Sequence, residues 1–261
     1  MKQKILFFDI DGTIWNIRNE IPESTKRAVE KLKENGHLVF LNSGRSRAFI
    51  REPGLLSMGF DGIVSGCGTM AEFRGETIYQ KKIGPDLAEF AVNTLSKHRF
   101  YTILEGFEDL YFDKEVFEDD VYGSKILREI PDHVVAIKDS WRQWDFGKFS
   151  CNTKDADVQA GYEELSPYFE FVFHDIPVIE VVPKGYSKGT GVKKVCEFLG
   201  IDRRDSFAFG DSANDIDMFT ACGTSVAMGS GSEKAKSAAD YVTTGLQEDG
   251  IWNACVHYGL I

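Results

Sequence analysis

Two pairs of carboxylates, each placed at the end of an apolar run, are the residues of this sequence best suited to chemistry. Asp9 and Asp11 stand two apart directly after the continuous run 5–8, and Asp211 and Asp215 stand four apart after a second run, 206–209. If the backbone stays extended past residue 8, the side chains of Asp9 and Asp11 face the same side. Like charges this close raise one another's pKa unless a cation or an array of donors offsets them. Mg2+ would do so, being a hard ion that takes oxygen ligands and keeps part of its shell for water or phosphate. An Asp-x-Asp-Gly-Thr segment also fits a plain turn, because Asp and Gly are favoured there. The second cluster, Gly210-Asp211-Ser212-Ala213-Asn214-Asp215, tips the balance, since four converging carboxylates would each need compensation of several kcal/mol. Between the clusters, Ser43-Gly44 offers a hydroxyl and a backbone N–H, and Lys188-Gly189 offers an ammonium at a helix start. These are anion-binding parts. Taken singly, Ser-Gly is a common turn and a lysine is usually solvated; together, all at strand or helix ends, they point to one site.

The elements that must position these residues follow from periodicity. The run 5–8 reads as a buried parallel strand ending in a polar loop. Residues 25–35 carry Ala28, Val29 and Leu32 at helical spacing, with Gly36 as the stop. A second strand, 38–41, leads into Asn42-Ser43-Gly44-Arg45, and a further helix is expected to begin near Ser46. Strand, helix, strand predicts a right-handed parallel unit with its functional residues at the strands' carboxyl ends. A third strand at 63–65 and a hairpin around Arg74-Gly75-Glu76 come next. After Gly84-Pro85-Asp86, helical stretches such as 87–97 mix with short β-like runs at 134–137 and 171–173, marking an inserted second domain. Beyond Pro183-Lys184-Gly185 the first rhythm resumes, with a helix at 189–199 and strands at 206–209 and 225–228. The expectation is an α/β protein with a Rossmann-like doubly wound parallel sheet (residues 1–83 and 184–261) and a smaller inserted α+β domain (84–183).

Composition narrows the partners. With 261 residues, 43% hydrophobic and 27% charged, the chain can build a large core and has length for two domains. A net charge of −11, with no basic run longer than a pair, argues against nucleic acid or anionic lipid as a partner. The acidic run 115–120 reads as a solvated face. Five scattered cysteines (Cys67, Cys151, Cys196, Cys222, Cys255) without C-x-x-C spacing suggest free thiols in a reducing compartment. The five dispersed histidines supply no zinc site. Residues 1–4 lead straight into a strand without an apolar signal region, and no stretch approaches the roughly 18 apolar residues of a membrane span, so the cytoplasm is the expected location. Nothing in the sequence sets an oligomeric state.

With these segments in view, the chain resembles the phosphatases of the haloacid dehalogenase (HAD) superfamily, specifically the Cof-type group with a large cap inserted between the second and third motifs. The resemblance spans the chain and rests on four motifs in order: Asp9-Ile10-Asp11-Gly12-Thr13, Asn42-Ser43-Gly44-Arg45, Ser187-Lys188-Gly189, and Gly210-Asp211-Ser212-Ala213-Asn214-Asp215. It implies that Asp9 is a nucleophile that becomes an aspartyl phosphate and that Asp11 is the general acid and base. Mg2+ would be held by Asp9, the Asp11 main-chain carbonyl and Asp211, with Asp215 orienting the metal's waters or Lys188 from behind. Ser43, Gly44, Asn214, Lys188 and backbone N–H groups after Asp9, Gly12 among them, would bind the phosphoryl oxygens, and Arg45 would reach the substrate. The implied activity is Mg2+-dependent hydrolysis of a small-molecule phosphate monoester, such as a sugar phosphate, pyridoxal phosphate or an FMN-like compound. A phosphomutase using the same aspartyl phosphate, and a non-catalytic Mg2+- or ligand-binding regulator, are the alternatives. Two departures stand out: Ser43 replaces the group's usual Thr and keeps the hydroxyl, and Cys67-Gly68-Thr69 stands where many relatives carry Asn-Gly-Ala. The resemblance also implies a cap that closes over the phosphate site and sets specificity. Its aromatics, Phe100, Tyr101, Phe107, Tyr111, Phe112, Trp141, Trp144 and Phe146, are expected mostly to fill its own core.

Overall fold

The computed structural model describes residues 2–117, 121–174 and 176–261. In chain order the elements are β1 (Ile5–Phe8), α1 (Glu23–Glu34), β2 (Leu38–Asn42), α2 (Pro53–Leu56), β3 (Gly62–Ser65), β4 (Met70–Phe73) and β5 (Glu76–Gln80). There follow α3 (Pro85–Lys97), β6 (Tyr101–Gly106), β7 (Leu110–Tyr111), α4 (Val121–Glu129), β8 (Val134–Val135), β9 (Phe146–Asn152), α5 (Val158–Leu165), β10 (Phe169–Phe173) and β11 (Val178–Pro183). The chain ends with α6 (Lys188–Leu199), β12 (Ser206–Gly210), α7 (Ile216–Ala221), β13 (Thr224–Ala227), α8 (Glu233–Ala238), β14 (Tyr241–Val242) and α9 (Gly250–His257). Among the described residues, no helix is long and apolar enough to cross a membrane.

These elements pack as two compact units. The first comprises residues 1–44, 53–79 and 187–261. Its eight-stranded sheet has the order β14-β13-β12-β1-β2-β3-β4-β5, with every pair from β14 to β3 parallel and β3–β4 antiparallel. The doubly wound parallel α/β sheet expected from the sequence is therefore the fold of this unit. β1 is apolar at all four positions because helices cover both faces of a parallel sheet, and each of its residues is fully buried. From β1 the chain winds outward to β2 and β3 on one side and to β12, β13 and β14 on the other. The change of direction between β1 and β12 opens a crevice at their carboxyl ends, where open α/β sheets bind ligands. Register aligns Phe8 with both Phe209 and Leu41, so the residues that follow leave the sheet side by side. α6 starts on a capping box, with Ser187 Oγ accepting from the Thr190 N–H and Thr190 Oγ1 accepting from the Ser187 N–H.

The second unit comprises residues 45–52 and 80–186. It is a six-stranded sheet, β10-β11-β9-β6-β7-β8, antiparallel except for β7–β8. α3 and α5 cover one face through Ala91, Leu95, Leu104, Phe149, Leu165 and Val181. Of the eight aromatics expected to fill this core, Phe100, Phe107, Tyr111, Phe112, Trp144 and Phe146 are buried, whereas Trp141 is exposed.

Three details differ from the sequence expectation. The helix expected near Ser46 is a single 3-10 turn, Arg47–Phe49, closed by Ile50 at φ −99° and ψ 79°, and Pro53, which has no N–H to give a continuing helix, opens a separate one. Residues 45–52 join the second unit, since Ala48 and Phe49 pack with Ile103, Leu110, Phe112 and Ile126 and the Ser46 N–H donates to Glu105 Oε2 at 3.0 Å. That unit runs from residue 80 to 186, not 84 to 183. Of the acidic run 115–120, residues 118–120 lie outside the described residues.

The loop after β3 is fitted against the start of α6. Gly68 has φ +77°, and a Cβ there would lie 2.1 Å from the Ser187 carbonyl oxygen. Gly68→Ala is expected to cost on the order of 2 kcal/mol from backbone strain and displacement of that main-chain contact. Urea denaturation of the variant checks this, and an unchanged midpoint would contradict the fit.

Candidate active site

Asp9 is the first residue beyond β1, and its N–H still donates to the Phe209 carbonyl of β12 at 2.9 Å. This places its carboxylate at the crevice, where it is 5% exposed. Lys188, the first residue of α6, reaches it from the other side. Its Nζ lies 2.7 Å from Asp9 Oδ1, 2.7 Å from Asp215 Oδ1 and 3.3 Å from Asn214 Oδ1. Asp215 turns its second oxygen onto the N–H groups of Asp211 (2.9 Å) and Ser212 (3.0 Å), shaping the loop after β12. Asp211 in turn accepts from Thr13 Oγ1 at 3.1 Å. Carboxylate oxygens of Asp9, Asp211 and Asp215 all lie within 4.8 Å of one another.

This is more negative charge than one ammonium offsets. Burial pushes the Asp9 carboxyl well above its ordinary range; Lys188 opposes this, and the Asp215 and Asp211 charges add to it. Burial, seconded by Asp215, raises Asp211 to about 7. Burial by itself would lower the Lys188 ammonium, but Asp215 and Asp9 overcome that and hold it well above its usual value. The donor set fits a hard divalent cation, which would remove the excess charge. Asp9 and Asp211 are the carboxylates suited to ligate it, because both oxygens of Asp215 are already engaged.

The other residues singled out from the sequence take the following places. Asp11 is exposed, and its Oδ1 accepts from the Trp15 indole at 3.0 Å. Its carboxylate therefore stands apart from the buried cluster, because the chain leaves extended geometry after Asp9 and turns back at residues 10–15. The Gly12 N–H donates to the Trp15 carbonyl at 2.9 Å, so what Gly12 contributes is room: a Cβ there would lie 2.4 Å from Asp211 Oδ2. Ser43 and Gly44 are buried just past β2, with the Ser43 N–H on the Val64 carbonyl at 2.9 Å. Arg45 belongs to the second unit, where Nη1 lies 3.3 Å from Glu129 Oε2 and the guanidinium sits 4.4 Å from the centre of the Phe49 ring.

Three residues at the site carried no assigned role from sequence: Thr13, which donates to Asp211, and two that hold the start of α6. Asn42 Nδ2 donates to the Lys188 carbonyl at 3.0 Å, and the Gly189 N–H donates to Asp217 Oδ2 at 3.0 Å, so both hold the start of α6. Asn42 could have been suspected, because a polar residue closing an otherwise apolar buried strand must find a partner. For Asp217 no sequence signal existed.

Comparison with known proteins is consistent with this geometry. Residues 6–255 match the family model described as haloacid dehalogenase-like hydrolase. YkrA, an inferred phosphatase of Bacillus subtilis (strain 168), is 34% identical over the whole of both chains. YitU of the same organism, a 5-amino-6-(5-phospho-D-ribitylamino)uracil phosphatase, is 25% identical over 96% of this chain and 95% of its own. The solved structure of the HAD subclass IIB sugar phosphatase BT4131 superposes with a TM-score of 0.82 at 27% identity, covering 99% of this chain and 100% of that one.

In the metal-free protein, Asp9 and Asp211 bind protons more tightly folded than unfolded. Their contribution to stability is fully present below the unfolded carboxyl pKa of about 4 and is lost as pH rises through the folded value, about 7 for Asp211. Raising the pH from about 5 to about 8 without divalent ions is therefore expected to lower the thermal midpoint more in the wild type than in Asp211→Asn. Millimolar Mg2+ should restore it at the higher pH and do little at the lower. Equal pH responses of the two proteins would refute the assignment.

Proposed function

Because the chain belongs to the haloacid dehalogenase-like hydrolases and is a phosphatase of that family, we propose that it hydrolyses small-molecule phosphate monoesters through a phosphoryl group carried on Asp9, with Mg2+ as cofactor. The observation that carries this reading is the buried Lys188 ammonium, 2.7 Å from both Asp9 and Asp215, with the Asp211 carboxylate beside them. Asp9, Asp211 and the Asp11 main-chain carbonyl would hold Mg2+, which would supply the positive charge that keeps Asp9 ionised and offsets the negative charge of the phosphoryl oxygens.

In the first step an Asp9 oxygen bonds to phosphorus, the ester P–O bond breaks, and Asp11 gives its proton to the leaving oxygen. In the second, the Asp11 carboxylate takes a proton from the water that attacks phosphorus, and the bond to Asp9 breaks to release phosphate. The Lys188 ammonium, the Asn214 amide and the Ser43 hydroxyl bind the transferring oxygens. Monoester hydrolysis is among the slowest uncatalysed reactions, with enzymes reaching accelerations up to about 10²¹-fold, and positioning plus fixed charge must supply most of that. As to the substrate, YitU and BT4131 are named for a ribityl phosphate compound and for sugar phosphates. Their shared chemistry supports a phosphorylated polyhydroxy compound here.

A panel of metabolite phosphates with Mg2+, read by phosphate release, tests the reading. Asp9→Asn and Asp11→Asn should each lower turnover by more than about 10²-fold while the proteins stay folded. Lys188→Met should be as severe and cost on the order of 3 kcal/mol of stability, since two buried carboxylates lose their partner. Ser43→Ala removes one hydrogen bond to a charged phosphoryl oxygen, about 1.5–3 kcal/mol or roughly a ten- to 150-fold loss. Asp9→Asn retaining more than a few per cent of wild-type turnover would refute the nucleophile.

A further inference from the structure

The loop between β1 and α1 contains a contact that the reaction outlined above does not use. The Ile10 carbonyl accepts from the N–H groups of Ile14 (2.9 Å) and Trp15 (3.2 Å), and the Gly12 N–H donates to the Trp15 carbonyl. This tight turn lays Trp15 back over Asp11, and the indole Nε1–H donates to Asp11 Oδ1 at 3.0 Å. The rest of the Trp15 side chain is buried, with the residue only 2% exposed, so the ring is a fixed body. Asp11, by contrast, is exposed. An exposed carboxyl on a loop samples several rotamers; a charge-assisted hydrogen bond from a rigid donor selects one.

We propose that Trp15 is a positioning residue for Asp11, its indole N–H fixing Oδ1 so that Oδ2 carries the proton to the leaving oxygen and takes it back from water. The assignment of oxygens follows from the donor. An indole N–H can only donate, so Oδ1 acts as the acceptor and the carboxyl proton belongs on Oδ2. This inference rests on Asp11 being the general acid and base of the proposed reaction. Its test must therefore separate the two claims.

The separating quantity is kcat/KM for two esters of different leaving group, which reports the phosphoryl transfer to Asp9 and not the later hydrolysis. An alkyl phosphate leaves as an alkoxide and needs the proton, whereas p-nitrophenyl phosphate leaves as a stable anion and needs it little. Trp15→Phe keeps most of the buried ring and removes the N–H. The expected result is a fall in kcat/KM of at least about tenfold more for the alkyl ester than for the p-nitrophenyl ester, the same sense of split as Asp11→Asn. A role in packing alone would lower both esters equally, and that result, or an alkyl-ester rate unchanged or increased, overturns the proposal. If Asp11→Asn itself gives no split, the acid and base reading falls and the positioning role with it. A split for Asp11→Asn without one for Trp15→Phe removes only the positioning role.

Should Trp15→Phe fail to fold, the wild type still decides. With 15N-labelled indoles its four tryptophans give four N–H signals, of which Asp11→Ala is expected to displace that of Trp15. On binding Mg2+ and beryllofluoride, a phosphoryl mimic, that signal should keep its hydrogen-bonded position in the wild type. A move to the position found in Asp11→Ala would mean that the contact is absent from the reacting state, and would overturn the proposal.

Discussion

The site depends on one buried ammonium holding together carboxylates that would otherwise repel. Lys188 is 2% exposed and bonds Asp9 and Asp215, which come from opposite ends of the chain. Its removal would leave uncompensated charge in the interior, a far larger cost than that of losing an exposed ion pair. One ammonium nevertheless does not balance three carboxylates, and their mutual charge adds to the burial that raises the Asp9 and Asp211 carboxyls. That imbalance is what a bound cation would relieve. A fully neutralised cluster would be more stable and would have no use for one.

The position of Lys188 makes this arrangement less free than it looks. A cation at the first position of a 12-residue helix faces the positive end of the helix dipole, which disfavours it. The two carboxylates reverse the balance, and the surrounding main chain removes the remaining freedom. Asn42 holds the Lys188 carbonyl, Asp217 holds the Gly189 N–H, and Ser187 caps the turn. Side chains from β2, from α7 and from the N-cap of α6 itself thus fix the backbone from which the ammonium projects, so small shifts of β2 or α7 would be felt at Asp9. The apolar strands serve the same end: fully buried and in register, β1, β2 and β12 deliver Asp9, Ser43 and Asp211 to one rim.

Much of this was legible in the sequence, for an identifiable reason. A buried parallel strand is a short apolar run closed by polar residues, and Ile5–Phe8 and Ser206–Gly210 are such runs, so their carboxylates could be assigned to strand ends. What escaped depends on contacts between segments distant in sequence. Phe49 draws residues 45–52 into the second unit by packing on Phe112 and Ile103, which no local pattern announces. Asn42 read as part of a turn because its partner is a main-chain carbonyl 146 residues away. The expectation that Asp9 and Asp11 share a face assumed extended backbone, and the turn at residues 10–15 ends that geometry one residue after Asp9.

That early turn has a chemical consequence. Two carboxylates two residues apart would titrate as an entangled pair if both lay in the cluster. The turn instead leaves Asp9 in strand register, buried against Lys188, and brings Asp11 out to solvent on the Trp15 indole. Identical side chains so acquire different environments, the circumstance under which one acid can serve as a nucleophile while its neighbour moves protons. A buried carboxylate held at 2.7 Å by an ammonium is poorly placed to exchange protons with a leaving group. An exposed carboxyl steadied by a neutral donor is better placed to do so, and its charge touches the balance beneath it only through a small push on Asp211. The division of labour proposed for Asp9 and Asp11 thus has its origin in where the strand stops.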